Sequence, residues 1–492
     1  MLSFKKLLLN GSMLLAALAT ISAAEPAKPN VLLIILEDWG PYLHCYGETE
    51  MYTPNLDRLA AEGCRYTNCF SGAPVCSVAR SALMVGLSQY TTHTEQHRTE
   101  RKDKPELPQG VQSLPDLFRN AGYFTALGCG YSRKVDLNFK FNDNASYLGK
   151  DWSERKPGQP FYAHLTLMQT HRPWRGDAQR PIDPKLVTLP AWYPDTPLTR
   201  KDWARGLESA QTSDRDMGAI IERLKKEGLY DNTILVVTAD HGIALPRGKQ
   251  FLYDEGLHIP LIIHWPGRIP SGVVSRELVS NLDVVPTLLD LAGLPRPAYL
   301  QGRSLADIGQ KEPQYLFGGR DKMDDTHDAS RTVRSQDFRY ILNLMPERAY
   351  CQYNRYKEDE YPGLAVLNVL HLQSKLPPEQ DAFMKEKKPV EELYDLQKDP
   401  GEVHNLANNP QYAETLKELR NQLAKWRAAV GDRGVTPQFR SGGWPATYPT
   451  RTLGEWQGIE ALWEKHLLQG GGKLKIPHPP QIDSKSNRRE EN

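Results

Sequence analysis

The chain has 492 residues, with 61 Lys and Arg against 60 Asp and Glu, and 39% of its residues are hydrophobic. The balanced charge argues against a nucleic-acid-binding protein, because no net basic field exists to attract a phosphate backbone. The hydrophobic fraction is sufficient for a buried core, whereas six cysteines are too few for a scaffold held by disulfides. The length predicts roughly three domains, or one large α/β core with an appendage.

The first 24 residues have the pattern of a secretory signal peptide. Lys5 and Lys6 precede an apolar run at 13–18, and small residues at 22–24 provide a cleavage site near Ala24. A membrane anchor is the alternative, but this run is well below the roughly 20 residues that span a bilayer. We therefore expect an exported protein, secreted or periplasmic, with no membrane span in its mature form.

Short apolar runs alternate with helical patterns along the first two thirds of the chain. The runs are rich in β-branched residues and predict strands buried on both faces of a sheet. They lie at 31–36, 161–168, 233–237 and 260–263, and the helical patterns at 54–60, 114–121 and 203–227. This alternation predicts an α/β catalytic domain over residues 25–325, with a large, mostly parallel central sheet flanked by helices.

The pattern changes after about Ser304. Short strands are predicted within 331–344 and at 391–395, with a long polar stretch, 353–388, between them, and 411–430 forms an amphipathic helix. These segments predict a smaller C-terminal α+β subdomain over residues 326–430. Residues 431–492 form an extension with a helical pattern at 453–468 and a polar tail.

Acidic residues follow two of the predicted strands directly. Glu37 and Asp38 come after the first strand, and Asp240 and His241 come after the strand at 233–237. Functional groups of parallel sheets gather at the carboxyl ends of strands, and carboxylate and imidazole groups are ligands for a divalent cation. The alternative is that each pair caps a helix or turn. Because two such pairs follow two strands, a metal site is favoured over two separate caps.

Cys76 begins a predicted helix at 77–85 that ends at Gly86. A buried structural cysteine is the alternative interpretation. A nucleophile at a helix N-terminus, however, has free N–H groups available for an anion. Arg80, one turn further along, projects to the same end of the helix.

In their order along the chain, these motifs resemble the type I (formylglycine-dependent) sulfatases of the alkaline-phosphatase superfamily. The resemblance extends from about Pro29 to about Ala424. It is carried by Pro29-Asn30, the octapeptide from Thr53 to Ala60, the segment from Cys76 to Arg80, Gly122-Tyr123-Phe124-Thr125, His171-Arg172-Pro173, the segment from Thr238 to Gly242, Gly248-Lys249, Tyr253-Asp254-Glu255-Gly256 and Glu392-Leu393-Tyr394-Asp395-Leu396.

The resemblance implies a mechanism and a set of site residues. In that family a formylglycine-generating maturation enzyme converts the motif cysteine to an aldehyde, and its hydrated form attacks sulfur. Cys76 is then the residue converted. The resemblance further implies a divalent metal, for which we expect Ca²⁺. The metal ligands would be Glu37, Asp38, Cys76, Asp240 and His241, and the catalytic residues would be Cys76, Arg80, Lys134, His171 and Lys249.

Four positions depart from the family pattern. Val78 stands where the modification motif has Pro or Ala, which puts recognition by the maturation enzyme in question. Glu37 replaces the usual first Asp. His241 stands where many sulfatases have Asn, as it does in related phosphonate and phosphodiester hydrolases. Lys134 is our placement for the lysine of a Gly-Lys-x-His motif whose histidine this chain lacks.

A loop beyond the nucleophile helix contains candidate substrate-binding residues. His93, His97 and Arg98 lie in it, and Arg172 follows His171. Such a mixed cationic rim suits a sulfated sugar, and a solvated polar loop is the alternative. We therefore expect an exported sulfatase acting on a sulfated polysaccharide or its oligosaccharides. The alternatives are a phosphonate monoester or phosphodiester hydrolase, an N-sulfoglucosamine sulfamidase-like activity, and a non-catalytic glycan-binding protein whose Val78 prevents maturation.

Overall fold

The computed structural model describes residues 28–306, 312–443, 451–469, 474–476 and 478. The predicted signal peptide, 1–24, and most of the polar tail lie outside these residues. In the described part of the chain, no helix combines the length and the apolar character needed to cross a membrane.

A large sheet forms the centre of the molecule. Its strands are β1 (Asn30–Leu36), β2 (Cys64–Phe70), β3 (Phe124–Leu127), β4 (Phe161–Leu167), β5 (Thr233–Ala239), β6 (His258–His264) and β7 (Val273–Ser280), in the order β3-β4-β1-β5-β6-β2-β7. All neighbours pair in parallel except those of β6. The predicted α/β fold with a mostly parallel sheet is therefore confirmed. Every residue of β1, β4 and β5 is buried, which explains their largely apolar sequences.

Helices cover both faces of this sheet. They are α1 (Pro54–Glu62), α2 (Cys76–Val85), α3 (Leu114–Asn120), α4 (Asp143–Ser146), α5 (Pro197–Lys226), α6 (Asp254–Leu257) and α7 (Val284–Leu291). The long helix α5 begins at a capping box on Thr196 and buries Met217, Ile220, Ile221 and Leu224 at helical spacing. The helical patterns seen in the sequence thus correspond to α1, α3 and α5.

The C-terminal part contains a second, smaller sheet. Its strands are β8 (Leu316–Arg320), β9 (Ser330–Arg334), β10 (Phe338–Asn343) and β11 (Glu391–Asp395), all antiparallel, in the order β11-β10-β9-β8. The helices of the C-terminal part are α8 (Arg355–Glu360), α9 (Pro362–Leu372), α10 (Pro378–Asp381), α11 (Ala413–Ala429), α12 (Pro437–Ser441) and α13 (Leu453–Leu468). Leu416, Leu419 and Leu423 of α11 pack against the sheet, so the expected smaller α+β part is present, although its strand β8 lies before the predicted boundary at residue 326.

The prediction of a long polar stretch at 353–388 is wrong. This stretch contains α8, α9 and α10, and α9 is buried from Pro362 to Val369. Helix α9 packs against α5 of the large core and against α13. The charged residues at 357–360 obscured the apolar run that follows them. The first turn of α8, with Tyr356 and Lys357, reaches the candidate active site.

The topology brings three strand ends to one place. Strand β1 lies between β4 and β5, and Leu36 aligns with Leu167 on one side and with Ala239 on the other. Because the three strands are parallel and end at the same level, the residues that follow them meet at one edge of the sheet.

Candidate active site

Cys76 is the first residue of α2 and is fully buried. The preceding residue, Val75, is extended, and Gly86 ends the helix in the left-handed conformation with φ 67°. Val78 is also buried, in a small cluster with Ala73, Val75, Ala79 and Met323. The Cys76 thiol therefore has a fixed position at the N-terminus of a buried helix, where backbone N–H groups are available for an anion.

Four buried side chains surround a common point. Donor atoms of Asp38, Cys76, Asp240 and His241 all lie within 4.8 Å of one another. The Cys76 sulfur is 3.4 Å from Asp38 Oδ1 and 3.5 Å from His241 Nε2, and these last two atoms are 2.9 Å apart. The two predicted acidic pairs thus meet as expected from the topology.

Neighbouring backbone groups orient this set of donors. His241 Nδ1 lies 2.9 Å from the carbonyl oxygen of Gly242, so Nδ1–H donates there and leaves Nε2 as an electron-pair donor. Asp240 Oδ1 accepts the N–H groups of Asp38 and His241, each at 3.0 Å. Asp38 itself has φ 54°, an unusual conformation for a residue with a side chain. Carboxylate, imidazole and sulfur donors in this arrangement suit a divalent cation.

Glu37 lies beside this set but bonds elsewhere. Its carboxylate pairs with Arg80 and with Lys134. Glu37, Asp38 and His171 also form a second set of donors that could hold a metal ion. Burial alone would raise the pKa of Glu37, but the charges of Arg80 and Lys134 hold it below its ordinary value. Glu37 is therefore a carboxylate that fixes two cations.

Arg80 is buried beneath the nucleophile position. Its guanidinium bonds Glu37, Asp240 Oδ2 at 3.1 Å, Thr166 Oγ1 at 3.2 Å and the carbonyl oxygen of Lys134 at 3.2 Å. With so many partners the plane of the guanidinium is fixed, which allows it to hold an anionic group in one geometry.

Lys249 and His171 lie on the opposite side of Asp38. Lys249 Nζ is 2.6 Å from Asp38 Oδ2, and His171 Nε2 is 3.7 Å from the same oxygen. The His171 side chain is 20% exposed, whereas those of Asp38 and His241 are wholly buried. Burial alone would raise the pKa of Asp38, but the positive charge of Lys249 holds it well below its ordinary value. The site thus opens to solvent at His171, with a cation beside the opening.

The predicted substrate residues have three different environments. His97 is buried, its Nδ1 2.8 Å from Ser77 Oγ and its Nε2 3.6 Å from Asp324, and burial lowers its pKa to about 3. Arg98 is 45% exposed and lies 4.0 Å from Asp136, which is 3.6 Å from Lys134. His93 is exposed, and among the described residues no hydrogen bond or ion pair joins it to the cluster.

Arg172 is not brought to the cluster. Its guanidinium is buried, forms a two-pronged pair with Asp202 at 2.8 and 2.7 Å, and lies 3.7 Å from the ring of Trp174. Its remaining donors bond the carbonyl oxygens of Ala244 at 2.7 Å and Glu360 at 2.8 Å. These contacts hold the Arg172 side chain inside the protein, away from the metal-ligand cluster.

Four residues at the site were missed in the sequence. Tyr356 accepts a hydrogen bond from Lys249 Nζ at 3.3 Å. Lys357 Nζ donates to the carbonyl oxygens of Pro246 and Lys249. Gln250 has φ 79° and ties the Lys249 loop to the carbonyl oxygen of Pro74 at 2.8 Å. Asp136 lies between Lys134 and Arg98. The tyrosines at 353, 356 and 361, followed by an apolar run, were the available signal for the first two.

Comparison with known proteins decides the family. The model of the sulfatase family matches residues 29–148 and 131–294, more than half of the chain. The chain belongs to the sulfatase family. It is an enzyme of the sulfuric ester hydrolase class, and the expected family resemblance is confirmed.

Two sulfatase relatives align over most of the chain. An ulvan-active sulfatase from Formosa agariphila is 31% identical over 466 residues, which cover 84% of this chain and 77% of the relative. The human N-sulphoglucosamine sulphohydrolase is 27% identical over 484 residues, covering 85% of this chain and 94% of the relative. Among solved structures, a 2-O GAG sulfatase superposes with a TM-score of 0.60 at 21% identity, covering 86% of this chain and 98% of the other. The last likeness shows a shared fold.

Proposed function

We propose that this protein hydrolyses sulfate esters of a sulfated carbohydrate, a polysaccharide or its oligosaccharides. The observation that carries the proposal is the position of Cys76. It lies at a buried helix N-terminus, with Arg80 on one side, Lys249 and His171 on the other, and carboxylates between them. Such an arrangement supplies a nucleophile position and fixed positive charge for the oxygens of a sulfuryl group.

The substrate class is proposed from the relatives. One aligned relative is named for ulvan and another for N-sulphoglucosamine, and both align with about 85% of this chain. Residues on the solvent side support a polar, anionic substrate, because Arg98 and His171 are partly exposed there. A sugar carrying sulfate would meet positive charge as it enters.

Two groups complete the proposed site, and the residues present fit both. Asp38, Asp240 and His241 would hold a divalent metal, with Glu37 alongside and position 76 facing it; we propose Ca²⁺ because oxygen donors dominate. The metal would supply Lewis-acid stabilisation, and formylglycine at position 76 would supply the nucleophilic oxygen. The unmodified Cys76 sulfur marks where that oxygen belongs. A maturation enzyme that tolerates Val78 is required.

The remaining residues have roles that follow from their positions. Arg80, bonded to Glu37 and Asp240, holds the nucleophile side of the site and is itself fixed at both ends. Lys134 adds positive charge on that side through its pair with Glu37. His171 lies at the opening to solvent, where the sugar oxygen must leave, and the buried Lys249 lies against the same oxygen of Asp38. A proton or positive charge at that oxygen helps an alkoxide to depart, which is the difficult step for a sugar sulfate.

One observation favours a second candidate, a phosphonate monoester or phosphodiester hydrolase. His241 contributes imidazole to the donor set where many sulfatases have Asn, and imidazole suits transition metals. We propose this activity as secondary to sulfate release.

A paired assay tests the proposal. Protein matured with a formylglycine-generating enzyme would be incubated with ulvan oligosaccharides, N-sulfoglucosamine and N-acetylgalactosamine-6-sulfate, and released sulfate measured by ion chromatography. Cys76→Ala is the matched control and should release none. Hydrolysis of an aryl phosphodiester at a higher kcat/KM than any sulfate would favour the second candidate. Retention of sulfated glycan without sulfate release would favour a binding protein instead.

Export is proposed from the first 24 residues. The test is the N-terminal sequence of the mature protein recovered from its native cells, which should begin near Glu25.

A further inference from the structure

The segment 354–361 crosses the loop that carries Lys249. Asn354 Nδ2 lies 3.3 Å from Gln250 Oε1, and Asn354 Oδ1 accepts the N–H of Lys357 at 3.1 Å, which starts α8. At the far end, the carbonyl oxygen of Glu360 accepts a hydrogen bond from Arg172. The segment is therefore fixed at both ends against residues that follow β4 and β5.

Lys357 is buried in this segment and donates inward. Its Nζ bonds the carbonyl oxygens of Pro246 at 2.9 Å and Lys249 at 3.0 Å, and lies 4.4 Å from the ring of Phe251. Among the described residues, no carboxylate lies within ion-pair distance of this ammonium. Burial lowers the pKa of Lys357 to about 7, as expected for a desolvated cation. A buried lysine bonded only to carbonyls is costly to the fold, which suggests that it serves the site.

Lys388 provides a contrast within the same part of the chain. It is also buried, but its Nζ lies 2.7 Å from both carboxylate oxygens of Asp328. That lysine has an ordinary structural role as half of an ion pair. Lys357 instead donates a hydrogen bond to the carbonyl oxygen of Lys249, the residue proposed to assist the leaving group.

The side chain of Lys249 is held from a second direction by the same segment. Its Nζ donates to the Tyr356 hydroxyl at 3.3 Å and lies 4.8 Å from the centre of that ring. The Tyr356 ring in turn lies 6.2 Å from the His171 ring and meets Tyr361 edge-on at 5.5 Å. Lys357 therefore fixes the main chain of Lys249, while Tyr356 fixes its ammonium.

We propose that Lys357 is a positioning residue, which holds Lys249 so that its ammonium meets the leaving oxygen of the substrate. The proposal rests on the proposed function, which places the leaving group beside Lys249 and His171. Lys357 itself is buried and does not touch the substrate. Its loss would matter most for leaving groups that need stabilisation and least for leaving groups that depart unaided.

The experiment compares two aryl sulfates that differ in the leaving group. Phenyl sulfate has the poorer leaving group and 4-nitrophenyl sulfate the better one. Lys357→Met, which keeps the length and removes the charge, should lower kcat for phenyl sulfate about tenfold more than for 4-nitrophenyl sulfate, with KM little changed. Lys249→Met measures the full effect of losing the ammonium. Lys388→Met, the matched buried-lysine control, should affect the two substrates equally.

A second set of variants keeps the test valid if Lys357→Met does not fold. Lys357→Gln retains a donor to one carbonyl and should show the same selectivity to a smaller extent. Tyr356→Phe removes only the hydroxyl acceptor and should likewise impair phenyl sulfate more.

The proposal is overturned if Lys249→Met discriminates between the two sulfates while the Lys357 variants lower both rates equally. Failure of the proposed function would look different. The wild-type protein would then release no sulfate from the aryl sulfates or from the glycans.

Discussion

Replacing Arg172 by methionine removes a buried cation that joins three parts of the core. The guanidinium pairs with Asp202 of α5, bonds the carbonyl oxygen of Ala244 and bonds that of Glu360 at the end of α8. It is also sandwiched between rings, 3.7 Å from Trp174 and 4.6 Å from Tyr361. Methionine would retain part of the packing and none of the hydrogen bonds.

The expected loss of stability follows from the charge left behind. Asp202 is almost fully buried, so without Arg172 its carboxylate would be an unpaired charge in the core. Removing one partner of a buried ion pair costs about 3–5 kcal/mol. Unfolding a chain of 492 residues as one unit has an entropy on the order of 1 kcal/mol per kelvin, so the midpoint of thermal unfolding should fall by about 3–5 °C.

Thermal and urea unfolding of Arg172→Met measure this loss directly. Asp202→Asn should cost a comparable amount, and the double variant should cost less than the sum of the two, because the residues contact each other. Arg175→Met is the matched control: Arg175 is exposed, and its replacement should change the free energy of unfolding by about 0.5 kcal/mol or less.

A substrate-binding role for Arg172 would give the opposite pattern. Arg172→Met would then unfold with the wild-type midpoint while KM for a sulfated glycan rose. That result would refute the structural assignment and restore the interpretation that the sequence suggested.

Three further changes have defined outcomes. Because burial lowers the pKa of Lys357 to about 7, the unfolded chain binds more protons than the folded chain above that pH. Between about pH 7 and 10.5, the wild type should therefore gain up to about 1.4 kcal/mol of stability per pH unit relative to Lys357→Met. Urea unfolding at several pH values measures this gain. Ser77→Ala removes the oxygen that contacts His97 and the N–H of Arg98, and should cost about 1–3 kcal/mol in urea unfolding while leaving measurable sulfate release, in contrast to Cys76→Ala. A chelator should abolish sulfate release and Ca²⁺ should restore it; recovery with a transition metal alone would contradict the proposed calcium site.

Much of the fold could be predicted because its signals are local. Largely apolar runs mark β1, β4 and β5, since strands covered on both faces bury nearly every side chain. The helical pattern at 453–468 has the same bounds as α13. The acidic pairs after β1 and β5 could be expected to meet because parallel strands bring their carboxyl ends to one edge.

What could not be predicted depends on long-range packing. Arg172 follows His171 in the sequence, yet its side chain turns into the core because Asp202 and two aromatic rings are available there. His97 is buried rather than on the rim, since Ser77 and Asp324 enclose it. Tyr356 and Lys357 reach the site from more than a hundred residues beyond Lys249, and no local pattern indicates that contact.

The mass of the tryptic peptide 66–80 tests the central claim most directly. The protein would be produced with a formylglycine-generating enzyme, in a host that matures a control sulfatase, and sulfate release would be measured on the same samples. We predict that the peptide carries an aldehyde in place of the Cys76 thiol, and that activity rises in proportion to the modified fraction. Full sulfate release by protein whose Cys76 remains an unmodified thiol would contradict the account.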